Sequence, residues 1–105
     1  MDFINKKVLV TGGNGFVGKN LCNKLNKLSV NYYAPSKKDF NLTLEDDVMK
    51  LFKTYTPDIV LHLAGKVGGI GANKSKPGDF FYENIMMGTL VMEYSKRFNV
   101  DKVVA

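Results

Sequence analysis

Three glycines follow a short apolar segment at a spacing that suits phosphate binding. Residues 8–18 read Val-Leu-Val-Thr-Gly-Gly-Asn-Gly-Phe-Val-Gly, and a helical pattern starts directly after them. A strand, a glycine turn and a helix N-terminus together surround a pyrophosphate with backbone N–H groups. Gly12 permits the tight turn, Gly15 lets a phosphate approach the backbone, and Gly18 lets the helix pack closely. The segment predicts a dinucleotide site in preference to a glycine turn without a ligand.

An alternation of strands and helices is predicted to position this turn. The expected strands are residues 7–11, 30–34, 59–63 and 101–105. The first and third expected helices are residues 15–28 and 77–98. The second helix is expected to start with a capping box formed by Thr43 and Asp46 and to end at Pro57. This pattern is typical of a parallel sheet with crossover helices. We predict an α/β, Rossmann-type sheet with helices on both faces and the strand order 3-2-1-4, with the sequence ending in the fourth strand. The ligand is expected at the carboxyl ends of strands one and four, where the order reverses.

Composition narrows the classes of partner. The chain has 105 residues and a net charge of +5, which suits one small domain. Its lysines are scattered and Arg97 is its one arginine, so we predict no nucleic-acid partner. No apolar run is long enough to suggest a membrane partner. The single cysteine, Cys22, excludes an internal disulfide and indicates a reducing, cytoplasmic compartment, and we expect it to be a small core residue.

The residues after the second strand bear on the choice of dinucleotide. An acidic side chain there selects NAD, whereas a basic one accepts the 2′-phosphate of NADP. The first side chains in this stretch are Ser36, Lys37 and Lys38, and Asp39 follows them. The sequence therefore favours NADP(H). The alternative is that both lysines are solvated loop residues.

Two segments carry a family resemblance. Residues 11–18 resemble the fingerprint of the extended short-chain dehydrogenases/reductases. Residues 62–70, His-Leu-Ala-Gly-Lys-Val-Gly-Gly-Ile, with residues 72–73 and the Pro-x-Asp-Phe-x-Tyr-x-Asn pattern of 77–84, are similar to the GDP-L-fucose synthase family. The likeness covers nearly the whole chain but only the opening part of the family's sequence. It implies an NADP(H)-dependent enzyme that inverts two carbons beside the ketone of a GDP-sugar and then reduces that ketone. A homodimer of the intact enzyme is left open.

The resemblance also implies which residues hold the cofactor. By position, the pyrophosphate turn would consist of Gly12, Asn14, Gly15, Phe16 and Val17. The adenosine 2′-phosphate would face Ser36, Lys37 and Lys38, and the adenine would lie near Leu42. Beyond the third strand, the cofactor would be lined by Leu63, Ala64, Gly65 and Lys66. Residues 67–70 would border the sugar. Some family members have arginine at the position of Asn14, and alanine is usual at that of Gly65.

The reacting groups that the resemblance implies are not matched in this chain. In the family a serine, a Tyr-x-x-x-Lys pair, a cysteine and a histidine follow the fourth strand. Tyr33 and Lys37 match the spacing formally, but the segment between them runs off a strand through Pro35, so their side chains would not share a helix face. We therefore predict no catalytic residue, one NADP-binding domain over residues 1–105, and no reductase activity of the chain alone.

Two alternatives to this function stay open. One is a stand-alone nucleotide-binding module without chemistry of its own, and the other is a different extended short-chain epimerase or dehydratase. We favour the GDP-sugar epimerase/reductase over both alternatives and expect the chain to be the N-terminal portion of such an enzyme. Sequence downstream of Ala105 that holds a serine and a Tyr-x-x-x-Lys pair would support it.

The remaining polar candidates have structural explanations. His62 lies inside an apolar strand segment, so we expect a hydrogen-bonded core histidine in preference to a general base. The carboxylates at positions 45–47 suit the positive end of a helix. No cluster of histidines or cysteines predicts a metal site.

Overall fold

The computed structural model describes residues 3–64 and 77–105, which form a sheet flanked by helices. The elements in chain order are β1 (Lys7–Thr11), α1 (Phe16–Lys27), β2 (Asn31–Tyr33), α2 (Glu45–Tyr55), β3 (Ile59–His62), α3 (Pro77–Arg97) and β4 (Lys102–Val104). The predicted strand bounds lie within one residue of these. The α/β class is confirmed. Within the described residues, no helix combines the length and apolar character needed to cross a bilayer.

The four strands pair in parallel, but their order differs from the predicted one. The observed order is β2-β1-β3-β4, so 3-2-1-4 was wrong. β1 lies between β2 and β3, with Val8 opposite Ile59 and Thr11 opposite His62. β4 pairs with the other side of β3. The point at which the order reverses is therefore between β1 and β3, not between the first and fourth strands.

The reason for this order is the face on which α2 packs. Leu25 of α1 joins a buried cluster with Val8, Val10, Ile59 and Leu61 on one face of the sheet. The opposite face carries α2 and α3, in a cluster of Leu9, Leu42, Val48, Leu51, Phe52, Val60, Met87, Val91 and Tyr94. Right-handed crossovers on opposite faces carry the chain in opposite directions along a sheet. Because α2 changes face, β3 comes to lie on the far side of β1.

β3 also has the composition of a central strand. Ile59, Val60 and Leu61 are all buried, as expected for a strand covered on both faces. β2 has three residues, none of them fully buried, and it forms an edge. The predicted order placed β3 at the edge of the sheet beside β2, where its apolar side chains would have been less completely buried by the helices.

The segment before α2 is held by side chains in a way that the predicted capping box did not anticipate. α2 has Leu44 as its N-cap residue and no side-chain cap hydrogen bond. The hydroxyl and N–H of Thr43 both donate to Oδ1 of Asn41, at 2.7 and 3.1 Å, so Thr43 does not cap the helix. Asp47 accepts the N–H of Asn41 at 2.8 Å. These bonds fix the loop of residues 40–43 against the first turn of α2.

Candidate functional site

A cleft opens at the carboxyl ends of β1 and β3, where the strand order reverses. Its volume is about 210 Å³. The lining residues come from the glycine turn, the segment after β2, the loop before α2, the end of β3 and the inner face of α3: Thr11, Gly12, Gly13, Asn14, Gly15, Pro35, Lys37, Phe40, Asn41, Leu42, Thr43, Ala64 and Met87. In open α/β sheets this is the position at which ligands bind.

The glycine turn brings three backbone segments into direct contact. Gly12 has φ +76°, a conformation that side chains disfavour, and a Cβ there would lie 2.6 Å from the nitrogen of Ala64. A Cβ on Gly18 would overlap the carbonyl oxygen of Gly12 and lie 2.7 Å from the Cα of Gly13. The ends of β1 and β3 and the first turn of α1 therefore touch through their backbones.

Gly15 differs from its neighbours because the space beside it is open. A Cβ at this position would meet the oxygen of Gly12 at 3.5 Å, which is an ordinary contact. Gly15 is also the N-cap of α1, where it provides no side chain to bond the free N–H groups of the first turn, and that turn has no acidic residue. The exposed N–H groups and the helix dipole favour an anion here. The geometry fits the diphosphate of a dinucleotide.

The opposite wall of the cleft is mostly apolar and ends in a lysine. Phe40 is half-buried and Leu42 is 8% exposed, and both pack with the core beneath α2. Lys37 lines the cleft, whereas Lys38 does not. The hydroxyl of Ser36 donates to Asp39 at 3.1 Å and lies 3.3 Å from the N–H of that residue. Asp39 therefore shapes the turn that presents Lys37.

Thr11 in the floor of the cleft links the two central strands through a side-chain hydrogen bond to His62. Nδ1 of His62 lies 2.6 Å from Oγ1 of Thr11, and this oxygen also accepts the N–H of Ala64 at 3.1 Å. Thr11 is only 1% exposed. Burial lowers the pKa of His62 below its usual 6.5. The prediction of a hydrogen-bonded histidine is confirmed.

This histidine should make the protein less stable as the pH falls. Since its pKa is lower in the folded chain, the unfolded chain binds more protons below 6.5, and stability is lost as the pH drops through that value. His62 is the one histidine in the sequence. We expect the urea midpoint to fall between about pH 7 and 5.5, a range in which few other groups titrate. In His62→Asn this slope should disappear; a slope that persists would assign it to another group.

The structure brings some of the predicted cofactor residues together and separates others. Those that line the cleft are Gly12, Asn14, Gly15, Lys37, Leu42 and Ala64. Phe16 and Val17 start α1, but their side chains are 84% and 64% exposed outside the lining. Ser36 and Lys38 are beside the cleft but not in its wall, and Leu63 packs against the cluster on the α1 face. Gly65, Lys66 and the loop 67–70 lie outside the described residues.

Other lining residues were missed by sequence reasoning. Gly13 packs so closely on Ala34 that a Cβ would lie 2.6 Å from the methyl group of that residue. Phe40, Asn41 and Thr43 enter the wall because the loop folds back before α2. Asn41 and Asp47 were the sequence signal for this fold of the loop, since asparagine and aspartate side chains commonly accept hydrogen bonds from nearby backbone N–H groups.

Cys22 lies behind the glycine turn, on the side away from the cleft. Its side chain is half-buried against the α1 cluster, and burial raises the pKa of the thiol. A raised pKa keeps the thiol protonated and less nucleophilic. The expected core role is confirmed. Among the residues that the structure describes, no group of three His, Cys, Asp or Glu side chains could hold a metal ion.

A parallel sheet with helices on both faces and a glycine turn where the strand order reverses defines a Rossmann-type domain. Comparison with known families agrees over nearly the whole length. The chain belongs to the NAD dependent epimerase/dehydratase family, whose model matches residues 8–105.

Curated relatives cover most of this chain. It is 34% identical over 98 residues to GDP-L-colitose synthase of Yersinia pseudotuberculosis, covering 93% of this chain and 32% of that protein. It is 38% identical over 95 residues to GDP-L-fucose synthase of Azorhizobium caulinodans, covering 90% and 30%. The chain therefore spans about a third of the length of these relatives.

Solved structures agree in backbone geometry. The GDP-mannoheptose C4 reductase MlghC from Campylobacter jejuni, with NADP bound, is 30% identical and superposes with a TM-score of 0.90, covering 98% of this chain and 32% of that one. A GDP-L-fucose synthetase from Naegleria fowleri bound to NADP is 26% identical with a TM-score of 0.80, covering 99% and 31%.

Proposed function

We propose that residues 1–105 are the NADP(H)-binding domain of a nucleotide-sugar epimerase/reductase similar to the GDP-L-fucose synthases. The observation that carries this proposal is the open backbone at Gly15, at the N-terminus of α1, in a cleft at the switch point. Relatives named as GDP-sugar synthases and reductases support the substrate class. The reaction of the intact enzyme is part of the proposal, because the chain spans about a third of those relatives.

Different residues of the cleft bind different parts of the dinucleotide. The N–H groups at Phe16 and Val17 hold the diphosphate, so these two residues act through their backbone and their side chains need not line the cleft. The N–H of Gly15 donates instead to the carbonyl oxygen of Gly12 and closes the turn. Phe40 and Leu42 offer an apolar surface to the adenine. The assignments of Gly65 and Lys66 rest on the family resemblance.

These residues contribute to cofactor binding and not to catalysis. NADPH, when bound, supplies the hydride that reduces a ketone. The serine and the Tyr-x-x-x-Lys pair that such a reduction needs in the family follow its fourth strand, and the formal match of Tyr33 and Lys37 does not lie on a helix. A stand-alone binding module is the less favoured alternative, because the relatives are named as synthases and reductases.

The preference for NADP(H) over NAD(H) depends on Lys37. Lys37 lines the cleft beyond the end of β2, where an acidic side chain would select NAD. The carboxylate of Asp39 is nearby but accepts a hydrogen bond from Ser36. Among the described residues no carboxylate forms an ion pair with Lys37, and such a lysine suits a 2′-phosphate. Two NADP-bound structural relatives agree with this assignment.

Lys37→Ala should weaken NADPH binding by roughly tenfold and leave NADH binding unchanged, because one charge-assisted hydrogen bond to the 2′-phosphate is lost. Lys38→Ala removes the same charge one residue further on, outside the cleft wall, and serves as the matched control. Fluorescence titration of the wild type and both variants with NADPH and with NADH measures the six affinities.

Two results would count against the assignment. Equal wild-type affinities for NADPH and NADH would remove the 2′-phosphate site. An equal loss in both lysine variants would indicate a general effect of surface charge, which salt screens, in place of a specific contact.

A further inference from the structure

We propose that His62 is a positioning residue for nucleotide binding. Its imidazole holds the hydroxyl of Thr11 in the orientation that bonds the N–H of Ala64, and this bond joins the start of the glycine turn to the segment after β3. The inference rests on the proposed function, since it concerns the geometry of the same cleft. His62 is not among the residues that line the cleft, whereas Thr11 and Ala64 are. Among the residues that the structure describes, the imidazole reaches the cleft through its hydrogen bond to Thr11.

Thr11 is the junction between the two central strands. Its carbonyl oxygen accepts the N–H of Leu63 at 3.0 Å, and its hydroxyl accepts that of Ala64 at 3.1 Å. The first bond continues the parallel ladder and needs only backbone. The second needs the side chain of Thr11 in one rotamer. Ala64 is thus placed by a side-chain contact beyond the last residue of β3.

The hydrogen bond to the imidazole of His62 selects that rotamer of Thr11. A threonine hydroxyl has one proton and two lone pairs, and the N–H of Ala64 occupies one lone pair. Nδ1 of His62, at 2.6 Å, is the second partner of this hydroxyl: it accepts the hydroxyl proton or donates to the other lone pair, depending on the tautomer. Thr11 is 1% exposed, so water is a poor substitute. Without the imidazole the hydroxyl would gain by rotating towards another acceptor, and the N–H of Ala64 would lose its partner.

Small shifts at Ala64 matter because Gly12 packs directly on it. The Cβ position of Gly12 is 2.6 Å from the nitrogen and 2.8 Å from the Cα of Ala64, so the two backbones are already as close as a glycine allows. Gly12 in turn holds Gly15 through a bond from the N–H of Gly15 to its carbonyl oxygen, at 3.1 Å. A displacement of Ala64 is therefore transmitted to the turn that faces the diphosphate.

Three substitutions at position 62 separate positioning from simple packing. His62→Asn places a polar atom near the position of Nδ1, His62→Gln places it near that of Nε2, and His62→Leu removes it. We expect the asparagine variant to bind NADPH within about twofold of wild type, and the other two to bind roughly tenfold more weakly. Thermal melts of all three report any loss of folding. Weak binding by His62→Asn, or wild-type binding by His62→Gln and His62→Leu, would overturn the proposal.

A second measurement does not depend on nucleotide. Amide hydrogen exchange at Ala64 should accelerate in His62→Leu and in Thr11→Val, stay slow in His62→Asn, and accelerate no further in the double variant Thr11→Val/His62→Leu, because both changes break the same link. If the wild type binds no NADPH, the proposed function fails, while the exchange pattern still tests the link. Unchanged exchange at Ala64 in His62→Leu would refute the link even if the wild type binds NADPH.

Discussion

Gly15→Ala should weaken NADPH binding by about ten- to a hundredfold while leaving the melting temperature near that of wild type. A methyl group at this position meets the oxygen of Gly12 at 3.5 Å, which the fold tolerates. It does, however, occupy the space through which a phosphate would reach the N–H groups at the start of α1. A phosphate oxygen accepts such a bond at about 2.7–3.2 Å, and each charge-assisted bond lost costs about 1.5–3 kcal/mol. Titration of NADPH fluorescence and a thermal melt measure the two effects.

Gly88→Ala is the matched control for this substitution. A Cβ on Gly88 meets no described atom within 4 Å, and the residue lies inside α3, away from the cleft lining. Alanine in a helix interior is favoured over glycine by about 1 kcal/mol, so this variant should melt slightly higher and bind NADPH like the wild type. Wild-type affinity in Gly15→Ala would mean that no phosphate approaches the turn there, and the proposed function would lose its main support.

Gly18→Ala should have the opposite signature, with a large loss of stability. A Cβ on Gly18 would overlap the carbonyl oxygen of Gly12 and lie 2.8 Å from its carbonyl carbon. These atoms are backbone and cannot rotate away, so α1 must move off the end of β1. Overpacking of this kind costs about 1–3 kcal/mol or more, and we expect about 3 kcal/mol here. For a domain whose total stability is of order 5–15 kcal/mol, the urea midpoint should fall markedly.

The comparison of Gly15→Ala with Gly18→Ala is informative because the chemical change is identical and the positions are three residues apart. One variant should lose binding without stability, and the other should lose stability first and binding as a consequence. The test is a urea denaturation of both variants beside the wild type. Equal midpoints for Gly18→Ala and the wild type would mean that α1 does not press on the glycine turn as described, and the shape of the cleft would need revision.

Local patterns in the sequence determined the elements and the central part of the site. Apolar runs bounded by glycine, proline and asparagine set the strand bounds, since burial and turn chemistry act over a few neighbouring residues. The glycine spacing predicted the tight turn at Gly12 and the close packing of Gly18, and the structure adds that φ is positive at Gly12. The apolar neighbours of His62 indicated a hydrogen-bonded histidine, although they did not name Thr11 as its partner.

Tertiary packing alone decided how those elements are arranged. The apolar stripe of α2 is equally satisfied on either face of a sheet, so its pattern could not say that β3 would lie beside β1 in place of β2. The same holds for the cleft wall: Lys37 enters it and Lys38 does not, because bonds between Ser36 and Asp39 and between Asn41 and Asp47 turn the loop. Periodicity records which side of an element is buried, whereas the partner that buries it is set by contacts between residues distant in the chain.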